Sequence, residues 1–284
     1  MDLSKWGLLN DADTRRPNIS TRRRIVFYEF DDYTSGRSAQ MTKINRINEL
    51  LGIDDSYKAP ARLMEILYDK PERERLFKAF LDEFNYDVTY DWFREYFEDE
   101  HADRKKKKQD FTPQSINELI TQLAGTDDYN GLHYEPCAGT GGMTITAWNR
   151  DRMKHSPFDY KPSWYVYHCE ELSDRALPFL LFNTLIRGMN AIIVHCDALS
   201  RKAYGAFFVQ NDYDDHLKFS SLNVLPYTEQ VAKELGVTWA EQRYKPLIET
   251  PGIPAHVLNP TPRGEVSEFT KAVYAIRKIT ENGR

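Results

Sequence analysis

The segment Glu135-Pro136-Cys137-Ala138-Gly139-Thr140-Gly141-Gly142 constrains this chain more than any other. A strand-like run, Leu132 to Glu135, precedes it, and a helix-like run opens at Thr144 and reaches Trp148. Glycines between a strand and a helix let the backbone turn tightly and approach a ligand closely. The amides of the turn and the helix N-terminus behind them favour an anionic group. The turn lacks the Lys-Ser/Thr ending of a phosphate-binding loop, and its acidic residue stands before the glycines. A carboxylate in that place suits a ligand that carries an ammonium beside a carboxylate, which is the amino-acid end of S-adenosylmethionine. The competing reading is a glycine-rich turn that binds nothing.

Strand and helix patterns keep alternating after the turn. Trp164 to Cys169 alternates as a strand, and Leu172 to Gly188 reads as a helix closed by a glycine. Ala191 to His195 is a continuous apolar strand, and Ala206 to Gln210 reads as a fourth. Such repeats predict an α/β fold with a parallel, doubly wound, Rossmann-like sheet. Glu171 then falls at the end of the second strand, where a carboxylate accepts ribose hydroxyls. Asp197, followed by Ala198, falls at the end of the third, where it can accept from an adenine amine.

Ahead of the sheet the periodicity is helical. Leu63, Ile66 and Leu67, then Leu76, Phe77, Phe80, Leu81 and Phe84, recur at helix spacing, with Pro60 and Pro71 near the helix starts. A third stretch holds Tyr90, Trp92, Phe93, Tyr96 and Phe97. It lies within 82–100, where eight acidic residues face one basic residue. The expected reading is a solvated acidic face with an aromatic core side, and a partner surface competes with it. The charge reverses at Arg104 and Lys105–Lys108. That flip predicts an N-terminal helical domain with an irregular arm over 1–104 and a sheet domain with a proline-rich tail over 105–284. Arg15-Arg16 and Arg22-Arg23-Arg24 lie in the arm and read as solvated charge.

Taken together, Phe111-Thr112-Pro113, the glycine turn, Glu171-Leu172, Asn183-Thr184-Leu185-Ile186-Arg187-Gly188 and Cys196-Asp197-Ala198-Leu199 resemble the modification (methylase) subunits of type I restriction-modification systems. Small phage and prophage versions look most similar. The resemblance covers roughly 105–200 and reaches into the helical region before it. It implies a class I methyltransferase fold and S-adenosylmethionine-dependent transfer of methyl to the exocyclic amine of adenine in DNA. It also implies that Phe111, Thr112 and Pro113 help cover the cofactor, the glycine turn holds its methionine part, Glu171 its ribose and Asp197 its adenine. A specificity subunit or a host restriction-modification protein is the implied partner.

One motif of that family is missing. An adenine amine is a poor nucleophile, so an Asn side chain and a proline-constrained carbonyl must accept its hydrogens while an aromatic stacks on the flipped-out base. No Asn-Pro-Pro-aromatic occurs in the chain. Asn211-Asp212-Tyr213 directly follows the fourth strand pattern, so Asn211 and Tyr213 are the expected catalytic pair. Asn223-Val224-Leu225-Pro226-Tyr227 and Asn259-Pro260-Thr261-Pro262 compete for the role. Only 73 residues follow Asn211, which predicts a truncated sheet.

Composition narrows the classes. The net charge of −5 argues against a protein that coats nucleic acid by charge alone. No apolar run approaches the roughly 18 residues that span a bilayer. Three widely spaced cysteines, Cys137, Cys169 and Cys196, give no disulfide framework and point to the cytoplasm. His168-Cys169 and His195-Cys196 read as packed pairs, and no metal site is expected. Three functions compete: a DNA adenine methyltransferase, a catalytically silent homologue that keeps the cofactor pocket and acts by binding, and a methyltransferase for protein or a small molecule.

Overall fold

Prolines mark where two of the front helices begin. α1 (Ala59–Tyr68) carries Pro60 and α2 (Lys70–Glu83) carries Pro71, both in the first turn, where a missing N–H costs nothing. Asp69 caps α2 by accepting the Glu72 amide at 3.0 Å. A computed structural model of the chain describes residues 43–97 and 131–258. Helices and sheet belong to one unit, Arg46–Arg284.

Six strands form one sheet in the order β1-β2-β3-β4-β5, with β6 beside the start of β4. β1 (Leu132–Glu135), β2 (Val166–Glu171) and β3 (Ala191–Cys196) are parallel. α3 (Gly142–Met153) and α4 (Leu177–Ile186) make the two crossovers that parallel pairing demands. β4 (Lys202–Gln210) then runs antiparallel to β3, and β5 (Ser221–Val224) antiparallel to β4. α5 (Glu229–Leu235), β6 (Thr238–Trp239) and α6 (Ala255–Leu258) follow.

The reversal at β4 corrects the expectation of a parallel fourth strand. Only Asp197–Arg201 separates β3 from β4, and a parallel crossover needs roughly a dozen residues or more. A hairpin is the geometry that length allows. Arg201 closes it in the left-handed region at φ 58°, and the Asp197 carboxylate accepts the Leu199 amide at 2.9 Å. The strand begins four residues earlier than the apolar run Ala206 to Gln210 indicates, because Lys202 and Tyr204 break the apolar pattern.

Two cores sandwich the sheet. On one face Ile192, Val194, Cys196, Ala206 and Phe208 pack against Val231 and Leu235 of α5 and against Val257 of α6. Elsewhere α4 lies against β3 and β4 and against α1, and every one of its residues is buried. A helix buried all round needs partners on every side. The front supplies them: Phe77 meets Phe182 with ring centroids 4.8 Å apart, and Phe93 meets Phe179 at 4.7 Å. The buried Arg73 of α2 reaches across to Glu249 with two parallel bonds of 2.8 and 2.7 Å. Packing is therefore continuous between 46–97 and the sheet, while the junction at 104/105 lies outside the described residues. Among the described residues no helix is long and apolar enough to cross a membrane.

Candidate cofactor site

Parallel strands deliver their carboxyl ends to a common edge, and that edge is where open α/β sheets bind ligands. Here β1 ends at Glu135, β2 at Glu171 and β3 just before Asp197. The glycine turn joins β1 to α3 with Gly139 at φ 57° and Gly141 at φ 94°. Both values lie in the left-handed region that favours glycine. A Cβ on Gly141 would stand 2.9 Å from Cδ1 of Leu180.

The turn is tied to the strand ends by its own amides. Ala138 donates to the Glu170 carbonyl at 2.9 Å, Gly141 to the Ala138 carbonyl at 2.8 Å, and Gly139 to Oε2 of Glu171 at 2.6 Å. Those three amides are thus spent inside the protein, contrary to the expectation that the turn's N–H groups meet an anionic ligand group. What the edge offers a ligand is side-chain-free backbone at Gly139 and Gly141 and a set of carboxylates.

Each carboxylate has a distinct environment. Glu135 accepts the Thr144 hydroxyl, and burial pushes its carboxyl up to about 7. Glu171 is nearly buried and accepts the Ser173 amide at 2.7 Å besides that of Gly139. Asp197 is half-buried and held below the usual range by the Ser200 hydroxyl at 2.8 Å and by the Leu199 and Ser200 amides. Glu170, fully buried, is neutralised by a fork from Arg201 at 2.6 and 2.8 Å. Cys137 is exposed within this group. Its thiol is raised by partial burial and then by the charges of Glu171, Glu135, Glu170 and Asp197.

The structure therefore brings together Glu135, Pro136, Cys137, Ala138, Gly139, Thr140, Gly141, Gly142, Glu171, Asp197 and Ala198. Phe111, Thr112, Pro113, Lys105–Lys108 and Asn259 lie outside the described residues. Asn211 and Tyr213 are not brought to the same edge. Because β4 runs back, its last residue stands beside the start of β3, where the Asn190 side chain accepts the Asn211 amide at 2.9 Å. The fully buried Asn211 side chain donates to the carbonyls of Gly188 at 2.9 Å and Asp215 at 2.8 Å, and accepts from the amides of Tyr213 and Asp215. Tyr213 is exposed on that far edge. Asn223 is likewise committed, accepting the Glu249 and Thr250 amides and donating to the Phe208 carbonyl.

Sequence reasoning missed a second group. Asp91 is buried and accepts the Thr140 hydroxyl, the Phe93 amide at 3.0 Å and the Asn183 side chain at 2.9 Å. Asn183 also donates to the Thr140 carbonyl at 2.8 Å. Buried Arg187 donates to the Asn183 side chain at 2.8 Å and to the carbonyls of Val88 and Tyr90 at 2.9 and 2.7 Å. Burial raises the Asp91 carboxyl and lowers the Arg187 guanidinium to about 10. The available signal was a lone carboxylate among Tyr90, Trp92 and Phe93, which reads as part of the acidic face until the aromatics are placed inside.

A family model described as N-6 DNA Methylase matches residues 86–216, somewhat under half of the chain. The match begins just ahead of Asp91, takes in the whole carboxylate edge and ends in the loop after β4. It supports a relation to adenine DNA methylases over that stretch. No curated protein and no solved structure was found to match.

Proposed function

We propose that this chain is an S-adenosylmethionine-dependent DNA methyltransferase acting on the exocyclic amine of adenine, of the kind found in type I modification subunits. The observation that carries the reading is the delivery of Glu135, the glycine turn, Glu171 and Asp197 to one sheet edge in chain order. The donor set fits the cofactor. Glu135 suits its ammonium, Glu171 its ribose hydroxyls and Asp197 its adenine amine, while the bare backbone at Gly139 and Gly141 lets it approach closely. The spent lone pairs do not close the site, because each carboxylate oxygen can accept more than one bond. S-adenosylmethionine supplies an electrophilic methyl group on sulfonium. This chain's residues would hold the cofactor and fix the turn. DNA is the substrate of this reading, with a specificity subunit as partner and the cytoplasm as its place.

A second reading rests on a separate observation. Asn211, Asp212 and Tyr213 stand at the sheet edge opposite the carboxylates, and no Asn-Pro-Pro-aromatic occurs in the sequence. A homologue that binds the cofactor and joins or competes with a host restriction-modification complex, without transferring methyl itself, accommodates both facts. The experiment is a paired one. Calorimetry measures S-adenosylmethionine binding, and tritiated cofactor measures transfer to mixed-sequence DNA, with and without host modification and specificity subunits. Binding with transfer supports the first reading. Binding without transfer under every condition supports the second. No binding overturns both.

A further inference from the structure

We propose that Asp91 is a positioning residue for the glycine turn, so that the helical front is a working part of the cofactor site. The inference rests on the reading of that turn as the S-adenosylmethionine site. Asp91 lies 49 residues before Thr140 in the chain, yet the two side chains are hydrogen-bonded in a buried setting. Thr140 stands between the two left-handed glycines, Gly139 and Gly141. Its hydroxyl is taken by Asp91, and its carbonyl by Asn183, so the centre of the turn is gripped at both ends of one residue.

The grip is built to be rigid. A buried carboxylate that accepts three donors makes charge-assisted bonds, stronger than neutral ones. Asn183 is itself fixed, because Arg187 occupies its oxygen and leaves its NH2 group pointed at Asp91 and Thr140. Arg187 in turn holds the carbonyls of Val88 and Tyr90, just ahead of Asp91, and lies over the Trp92 ring at 5.0 Å. The front segment 88–93, the helix α4 and the turn therefore form one closed network. No other charged side chain among the described residues is hydrogen-bonded to the Thr140 hydroxyl. Glycines on both sides leave the turn free to take other conformations, and a fixed Thr140 removes that freedom before a ligand arrives.

The test compares Asp91→Ala and Thr140→Val in the full chain by two readouts. Hydrogen–deuterium exchange follows peptides covering the turn and, as internal reference, β3 and β4. Calorimetry follows S-adenosylmethionine affinity. The expected result is about tenfold faster exchange in the turn with the β3 and β4 peptides unchanged, and about tenfold weaker cofactor binding. Thr140→Val removes only the Thr140–Asp91 bond, whereas the change at Asp91 also touches the Phe93 amide and Asn183, so the double variant is expected to be no worse than the Asp91 variant alone. Unchanged exchange in the turn overturns the proposal, as does a rise spread evenly over turn and sheet, which marks a general loss of stability. If the unaltered chain binds no cofactor but the turn still loosens selectively, the functional reading fails and the positioning role stands.

Discussion

The carboxylate of Glu171 accepts the backbone amide of Gly139 at 2.6 Å, linking the end of one strand to the turn that follows its neighbour. Its other oxygen takes the Ser173 amide. Replacing Glu171 with Gln puts an NH2 group against one of these donors. Glu171→Gln is expected to cost about 1–3 kcal/mol of stability, the usual penalty for a buried donor left without a partner. Cofactor affinity should fall by about tenfold or more. Urea denaturation and calorimetry read the two effects separately.

Glu135 gives a pH dependence with a definite sign. Folded, it keeps its proton up to about pH 7, against an ordinary value of 4.5. The folded state therefore binds more protons than the unfolded state between those values, and stability falls as the pH rises through that window, by about 3 kcal/mol at most. Cofactor binding should move oppositely, strengthening toward pH 7 and above as the carboxylate becomes available to an ammonium. Thermal melts from pH 5 to 8 check the first trend, and Glu135→Gln should flatten it.

Asn211 is expected to behave as a structural residue. Its side chain joins the carbonyls of Gly188 and Asp215 to the amides of Tyr213 and Asp215. Asn211→Ala should lower stability by about 2 kcal/mol or more, since several buried groups lose partners at once. S-adenosylmethionine affinity should change less than twofold at a temperature where the variant is folded. A stable variant that has lost only methyl transfer would point to catalysis instead.

Arg73 and Glu249 form a buried pair with a two-bond fork. Removing one partner strands the other charge, at a cost of about 3–5 kcal/mol. Arg73→Met should therefore destabilise strongly, whereas Arg73→Met combined with Glu249→Leu should recover part of the loss. Chemical denaturation of the three proteins measures the difference.

Gly141 stands at φ 94° with Leu180 close by. Gly141→Ala combines backbone strain with a steric contact, so about 1–3 kcal/mol of lost stability is expected. Leu180→Ala in the same chain should relieve the contact but not the strain, which a melting series would separate.

The chain made its carboxylate edge easy to read, because a glycine turn and three strand-end acids are local patterns. Pro60, Pro71 and the apolar spacing gave the front helices for the same reason. Reading failed where a single long-range fact decided the outcome. Asn211 follows a strand, as expected, but that strand's direction depends on Lys202 extending it and so shortening the turn to five residues. Asp91 sits in a charged stretch, and only packing of its aromatic neighbours reveals that this one acid faces inward. Asn183 and Arg187 stood in a recognisable run, yet their partners lie 92 and 97 residues away in sequence.

α4 has no face turned to water. The front and the sheet each cover part of it, so neither can let go without exposing Phe179 or Phe182. Such shared burial makes melting cooperative: one transition should carry both parts, and a fragment lacking residues 46–97 should aggregate instead of folding alone. The front is thus no detachable cassette: a sheet that keeps this carboxylate edge also needs the helices that cover α4.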